Sequence, residues 1–505
     1  MKSYKYLILL SLVWLFACTD LEEKLNQDLT KQQAEDYLNA HTDVNAILKA
    51  AYDGLRLPFM DQAQFWAAQE HTTDETLGPT RGPDWDDNGV WRVLHTHTWT
   101  ADHAFLSATF NTLLQDVFTT TNILSFNTTP QQAAEARFIR AFVIFAVADG
   151  WNQVPYRNPG ENLLNPPNVL KGSAALDFVI SELNTIINDL PTGPTNRANK
   201  DAAKVLLMKA YLNKGTFANR QSPSFDAGDM NQVISNADAI INSGKYSLDA
   251  NYFENFAPNN DQVSTENIWT GENVGGSSSG NVRSRWFCTL HYNQNPSGWN
   301  GFTTLSDFYD SFEASDVRRG GSYTGMTDVS GLNAGLLVGQ QYDQNGTALQ
   351  DRKGNPLSFT REVQPIETRN NLEITGIRVI KYPVDYIHGD NSDNDYVFFR
   401  YADVLLMKAE ALLRTGNSGS ALDIVNQLRL VRNASALGYL SLDELLAERG
   451  RELYWEGWRR QDLIRFGKFL NAWQGKPASG PERLLFPIPA TALSVNPNLE
   501  QNPGY

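Results

Sequence analysis

Val404-Leu405-Leu406-Met407-Lys408-Ala409 repeats, letter for letter, the earlier segment Val205-Leu206-Leu207-Met208-Lys209-Ala210. In both copies the apolar residues recur at the i, i+3, i+4 spacing of a helix face. A glycine follows each copy within a few residues, Gly215 and Gly416, and a second helical pattern follows each glycine. Paired helices with alanines where they meet are the unit of tetratricopeptide-like stacking. The two copies lie far apart, so long inserts must interrupt the stack.

Outward from these copies, helical periodicity predicts helices over 44–57, 131–149, 173–190, 200–215, 230–243, 401–415, 420–433 and 441–470. Thr128-Thr129-Pro130 reads as a threonine cap with proline in the first turn. Ser441 followed by Glu444 has the capping-box spacing. Residues 251–380 differ: they are rich in Gly, Ser, Asn, Asp and aromatics, with little helical period. The expected fold is therefore mainly α. A tetratricopeptide-like scaffold of helical pairs (about 30–250 and 396–475) would carry a loop and short-strand insert (about 251–395) that bears the binding face.

The totals limit the function. A chain of 505 residues, 41% hydrophobic and 11% aromatic, can bury a large core. Its formal net charge of -15 and lack of a basic stripe argue against nucleic-acid binding. Lys2 and Lys5 precede an apolar run, 6–17, that is too short to span a bilayer and reads as a secretory signal. The run ends in Leu15-Phe16-Ala17-Cys18, which resembles a lipobox. Residues 1–17 are thus expected to be a signal peptide and 18–505 a single domain, anchored by acyl chains on Cys18. Lipidation explains Cys18 better than a bridge to Cys288, and Cys288 has no nucleophile signature.

Several motifs resemble one family. They are Ala136-Arg137-Phe138-Ile139-Arg140-Ala141-Phe142 running to Trp151-Asn152-Gln153-Val154-Pro155-Tyr156; the helix from Phe399-Arg400-Tyr401-Ala402-Asp403 to Glu410-Ala411; Glu448-Arg449-Gly450-Arg451-Glu452-Leu453 with Glu456-Gly457-Trp458-Arg459-Arg460-Gln461-Asp462-Leu463-Ile464-Arg465; and the tail from Phe486-Pro487-Ile488-Pro489 to Tyr505. Together they resemble the SusD/RagB family, with small departures at Val143, Ile144 and Trp151-Asn152 that should affect packing only. The resemblance implies a non-catalytic outer-membrane lipoprotein. Such a protein sits as a lid over a SusC-like TonB-dependent transporter and binds oligosaccharides, or sometimes peptides. Asp20, Glu22 and Glu23 after Cys18 resemble the surface-export signal of Bacteroidetes lipoproteins, which implies an anchor facing the cell exterior.

Two loops have the composition of a sugar site, where aromatic faces stack on CH faces and polar side chains meet hydroxyls. In the first, 74–91, the expected contacts are Trp85 for stacking, with Arg81, Asp84 and Asp74 as polar partners. In the second, 286–301, they are Tyr292 and Trp299 for stacking, with Asn300 as polar partner. A glycosidase using carboxylates of 74–87 is the enzymatic alternative, and would need two of them about 5 to 9.5 Å apart across a cleft. The charges of 448–465, and Arg400, Asp403 and Glu410, read as structural ion pairs. His95, His97 and His103 lack partners at a metal-site spacing and read as loop structure. Residues 390–395 are a weak calcium-loop match, without the glycine and closing glutamate, and no cofactor is expected. Gly275–Gly280 has no following Lys-Ser/Thr and reads as a turn.

Overall fold

The computed structural model describes residues 36–37, 39–277 and 280–505. The signal segment 1–17, Cys18 and the acids Asp20, Glu22 and Glu23 lie outside the described residues. The chain divides into residues 1–44 and 45–505. In the first unit residues 39–41 are helical, and the Tyr37 and His41 rings stack 4.0 Å apart.

After α1 (Val44–Gly54), the larger unit is built on a row of helices: α2 (Ala104–Ile123), α3 (Pro130–Trp151), α4 (Ser173–Ile186), α5 (Lys200–Ala218), α6 (Ala227–Ile241), α7 (Tyr401–Arg414) and α8 (Ser418–Val431). From α2 onward each packs on the next. The row is continuous across the insert, because α6 packs directly on α7. The two copies of the repeated hexapeptide fall on α5 and α7, each the first helix of a pair. Thr129 caps α3 through a full capping box with Gln132, with Pro130 in the first turn. Nearly every residue of α3 from Ala134 onward is buried, so the helix sits inside the molecule, its few buried charges Glu135, Arg140 and Asp149 paired with Arg197, Glu182 and Arg460. Phe142 shows what it holds: its ring lies 5.0 Å from Phe59, 4.8 Å from Trp269 and 5.3 Å from Phe398. Asn152 ends the helix at φ 65°, a left-handed position that asparagine tolerates and glycine favours.

Three boundaries differ from the periodicity, each for a local reason. The segment 44–57 is broken after Gly54, where the missing Cβ admits the Asp116 carboxylate. Gly215 does not end its helix. It lies inside α5, and its bare Cα lets the Ser224 carbonyl approach. The segment 441–470 is two helices, α9 (Leu442–Leu453) and α10 (Arg459–Arg465). Trp455 (φ 60°) and Gly457 (φ 83°) take left-handed conformations between them, and the Gly457 N–H donates to Glu70 Oε1 at 2.6 Å.

The insert is loops with short helices and strands, as its composition implies. Its ends are tied together: β-strand Asn267–Gly271 pairs antiparallel with Tyr396–Arg400, the strand that leads into α7. A second small sheet joins Gly320–Ser322, Asn333–Leu337 and Arg378–Ile380.

Beneath the insert lies a buried ionic cluster. Arg400 pairs with Glu452 (2.6 Å), Glu456 (2.8 Å) and Glu266 (3.1 Å). Arg432 pairs with Glu266 (2.6 Å) and Glu452 (2.8 Å), and Arg318 with Asp316, Glu448 and Glu452. Burial alone would raise the Glu452 carboxyl, but Arg432, Arg400 and Arg318 hold it well below its ordinary range. A second cluster joins the helical pairs: Lys209 on α5 meets Asp403 on α7 at 2.6 Å, Arg449 spans Asp403 and Asp462, and Arg465 spans Glu410 and Asp462. The motif charges of 400–465 are thus interior ion pairs.

Candidate functional site

The loop 74–91 starts inside the molecule and ends outside it. Asp74 receives two hydrogen bonds from Arg459 (2.7 and 2.8 Å), and Glu75 is buried beside the same guanidinium. Leu77 then bridges to Thr303. At the surface Arg81 and Asp84 exchange backbone hydrogen bonds (2.9 and 3.2 Å) around Gly82-Pro83, with Gly82 at φ 68°. This tight turn pushes Asp84 and Trp85 outward. Trp85 (φ 60°), Asp87 (φ 40°), Asn88 (φ 55°) and Gly89 (φ 78°) are all left-handed. A tryptophan held there stores strain of about 1–3 kcal/mol, a feature that clusters at binding sites.

The second loop meets the first at Trp85. The Trp85 indole N–H donates to the Trp299 carbonyl at 2.8 Å, and Gly301 leaves room for the Trp85 ring against the chain. The rings of Trp85 and Trp299 lie 6.4 Å apart, inclined by 53°. Trp299 is 47% exposed, a large apolar surface left in solvent, and its inner side packs on Phe287 at 4.8 Å. Tyr292 donates its hydroxyl to Asp84 Oδ2 at 3.1 Å. Burial, then the neighbouring Asp84 charge, pushes that phenol above its ordinary pKa. Together Asp84, Trp85, Tyr292 and Trp299, with Gln62, Asp87 and Trp91, line an open cleft of about 410 Å³.

Four of the seven expected contact residues therefore share one cleft. The other three are corrected to supports. Arg81 is 3% exposed, and its guanidinium donates to the carbonyls of Asn300, Gly301 and Thr375 and to the Thr375 hydroxyl, so it staples the two loops from below. Burial lowers its pKa to about 10. Asn300 is buried at φ 56° and accepts from Arg378 at 2.7 Å. Asp74 is held by Arg459, away from the cleft. Gln62, Asp87 and Trp91 were not among the expected contacts, although the last two lie in the loop that was singled out. Arg352 is a further addition. It packs over the Tyr292 ring at 4.0 Å, pairs with Glu373 at 2.8 Å, and lies 3.9 Å from Asp84. It comes from a turn of the insert with no periodic signal.

The other candidates are accounted for internally. His95 bonds the Thr76 and Gln474 carbonyls, His97 the Thr72 carbonyl and Ser479, and His103 the Val90 carbonyl; burial lowers the pKa of all three. Asp393 accepts from the Gly275 N–H at 2.6 Å, Asp395 from Thr270 and Asn273, and Asp390 pairs with Arg283, so the carboxylates of 390–395 are taken up by groups of the chain itself. Cys288 is buried, and burial raises its thiol well above the ordinary range. Among the described residues, no helix is long and apolar enough to cross a membrane.

The family model described as "SusD family" matches residues 237–483, a span that covers the insert, the α7–α8 pair and the buried ionic cluster. The starch-binding protein SusD of Bacteroides thetaiotaomicron is 27% identical over 427 residues, 75% of this chain and 73% of that protein. Over residues 237–483 the chain matches the SusD family, and along its length it is similar to SusD proteins. Solved SusD structures share its helix-rich fold. A SusD superfamily protein from Parabacteroides distasonis superposes with a TM-score of 0.70 at 19% identity, covering 92% of this chain and 98% of that one. A laminarin-binding SusD-like protein superposes with a TM-score of 0.68 at 21% identity, covering 92% and 99%. Two of these relatives are named for binding, one for starch and one for laminarin. Within the stretch 74–87, Asp74 and Glu75 face an interior arginine and Asp86 pairs with Arg92, which leaves Asp84 and Asp87 as its carboxylates in the cleft.

Proposed function

We propose that this chain is a glycan-capture lipoprotein of the outer membrane. It would be anchored through Cys18 with its body toward the medium, and would pass oligosaccharides to a SusC-like TonB-dependent transporter. The observation that carries the reading is the cleft at the junction of the two loops. There two inclined indoles, one of them half exposed, stand beside the exposed carboxylate of Asp84 and the hydroxyl of Tyr292. Indole faces suit the CH faces of pyranose rings, and carboxylate and hydroxyl groups suit sugar hydroxyls. The names of the relatives, starch-binding and laminarin-binding, point the same way. The lipobox at 15–18 and the acids after it support the anchor and its orientation.

Isothermal titration of the full chain with maltohexaose and laminarihexaose tests the binding. A measurable affinity that is lost in the Trp85→Ala, Trp299→Ala double variant is expected. Undiminished binding by the double variant would remove the cleft from consideration. Mass spectrometry of the mature N-terminus, with Cys18→Ser as control, tests the anchor, and co-purification of a TonB-dependent transporter from the native membrane tests delivery.

A further inference from the structure

A second hollow of about 590 Å³ adjoins the cleft. It lies on the other side of the left-handed turn at 87–89, and Asp87 lines both. Its remaining walls include Thr98, Thr100, Asp102 and Phe105. One aromatic ridge runs under the turn from hollow to hollow: Trp299 to Trp85 at 6.4 Å, Trp85 to Trp91 at 5.7 Å, and Trp91 to Phe105 at 4.6 Å. Trp99 and His103 close the second hollow from beneath, and burial lowers the His103 pKa so that it stays neutral near pH 7. Neither lining contains a lysine or arginine, whereas Asp84, Asp87 and Asp102 place three carboxylates along the path. Arg352 beside the first cleft is already paired with Glu373, and Arg81 beneath it donates only inward.

We infer that the second hollow is a further saccharide subsite, continuous with the first over Asp87, and that the two together take an extended, uncharged oligosaccharide and disfavour sulfated or uronic ones. The inference rests on the glycan-binding reading of the first cleft. Carboxylates that outnumber the one nearby cation, Arg352, whose charge is already shared between Glu373 and Asp84, accept hydrogen bonds from hydroxyls and repel anionic groups on the ligand. The paired openings flanking a single turn suit a chain that crosses the turn, and a short ligand would fill only one of them.

The test is a length series of malto- and laminari-oligosaccharides, from two to six units, titrated into the full chain. The variants are Thr100→Trp, which fills the second hollow, and Asp102→Ala; both positions are exposed. Affinity is expected to rise with length in the wild type. Thr100→Trp should lower hexasaccharide affinity about tenfold while leaving disaccharide affinity and the thermal midpoint unchanged. Asp102→Ala should act in the same direction, more weakly. An oligogalacturonate of equal length should bind at least tenfold more weakly than the neutral series. If hexasaccharide affinity is the same in Thr100→Trp, the second subsite is refuted while the first cleft stands. If the oligogalacturonate binds equally well, the charge selectivity is refuted. If no oligosaccharide binds the wild type, both readings fall together.

Discussion

Around Glu452, three arginines and a carboxylate meet with no access to water; around Trp299, an indole, a carboxylate and a phenol meet in the open. Both clusters link segments distant in sequence, and both use polar groups with aromatic neighbours. They differ in what completes them. Each charge near Glu452 is matched by another charge of the same chain, so nothing is left for a ligand. At the cleft the Trp299 ring and the Asp84 carboxylate keep much of their surface unfilled. Two of the motifs that resemble the family supply Arg400, Glu448, Glu452 and Glu456 to the closed cluster, while the open cluster is built from loop residues that follow no period. Recognisability and the open candidate cleft therefore reside in different parts of this molecule.

The contrast can be broken most forcefully at Glu452. Glu452→Gln leaves Arg400, Arg432 and Arg318 short of an anion in a dry site, and should cost about 3–5 kcal/mol of stability in urea unfolding. A loss under about 1 kcal/mol would mean that the cluster is not what holds the scaffold.

A pH series probes the same region. Burial would raise Glu410 and Glu448, but Arg465 and Arg414 around the first, and Arg318, Arg451 and Arg429 around the second, hold both at about 2. These values lie below an unfolded value of about 4.3. Their contribution is thus complete above about pH 5 and lost as pH falls toward 2, by roughly 1–3 kcal/mol each. Asp116 and Asp395, raised by burial to about 7, act oppositely: they lose stability as pH rises from about 4 to 7. The urea midpoint should therefore peak on the acid side of neutrality. A midpoint still rising between pH 6 and 8 would contradict this.

Trp299→Ala sharpens the comparison from the other side. It should weaken glycan binding by about 1–3 kcal/mol, roughly five- to a hundred-and-fiftyfold, while shifting the unfolding midpoint little, because nearly half of the ring is already in water. A large stability loss with unchanged affinity would make it a structural plug. Tyr292→Phe is the mildest case. Removing the hydroxyl that donates to Asp84 should cost about 0.5–1.5 kcal/mol of affinity, read by titration against wild type.

The helical scaffold was largely legible because burial imposes a period on α3, α5 and α7 and capping leaves fixed residues such as Thr129 and Ser441. What escaped was set by approach from elsewhere. Gly215 looks like a terminator, but is a contact point for Ser224; the break at Trp455–Gly457 depends on Glu70, remote in sequence. At the site, composition located both loops and four of the residues lining the cleft. It could not show which polar side chains turn inward. Arg81 and Asp84 exchange backbone hydrogen bonds in one turn, yet the first is sealed under the surface and the second stands on it. Arg352 reaches Tyr292 only through the folding of the insert.

The pairing of Asn267–Gly271 with Tyr396–Arg400 has an evolutionary consequence. A segment whose entry and exit strands lie hydrogen-bonded side by side closes over a short gap whatever its length, and lengthening such a loop costs little, about 0.6 kcal/mol per doubling. Surface loops between them can be recombined or replaced while α6 and α7 stay packed on each other, provided that Asp316, Arg318 and Lys381 keep their places in the buried ionic cluster. A lineage can in this way change Tyr292, Trp299 and Arg352, and with them the candidate cleft, without reinventing the frame that carries them.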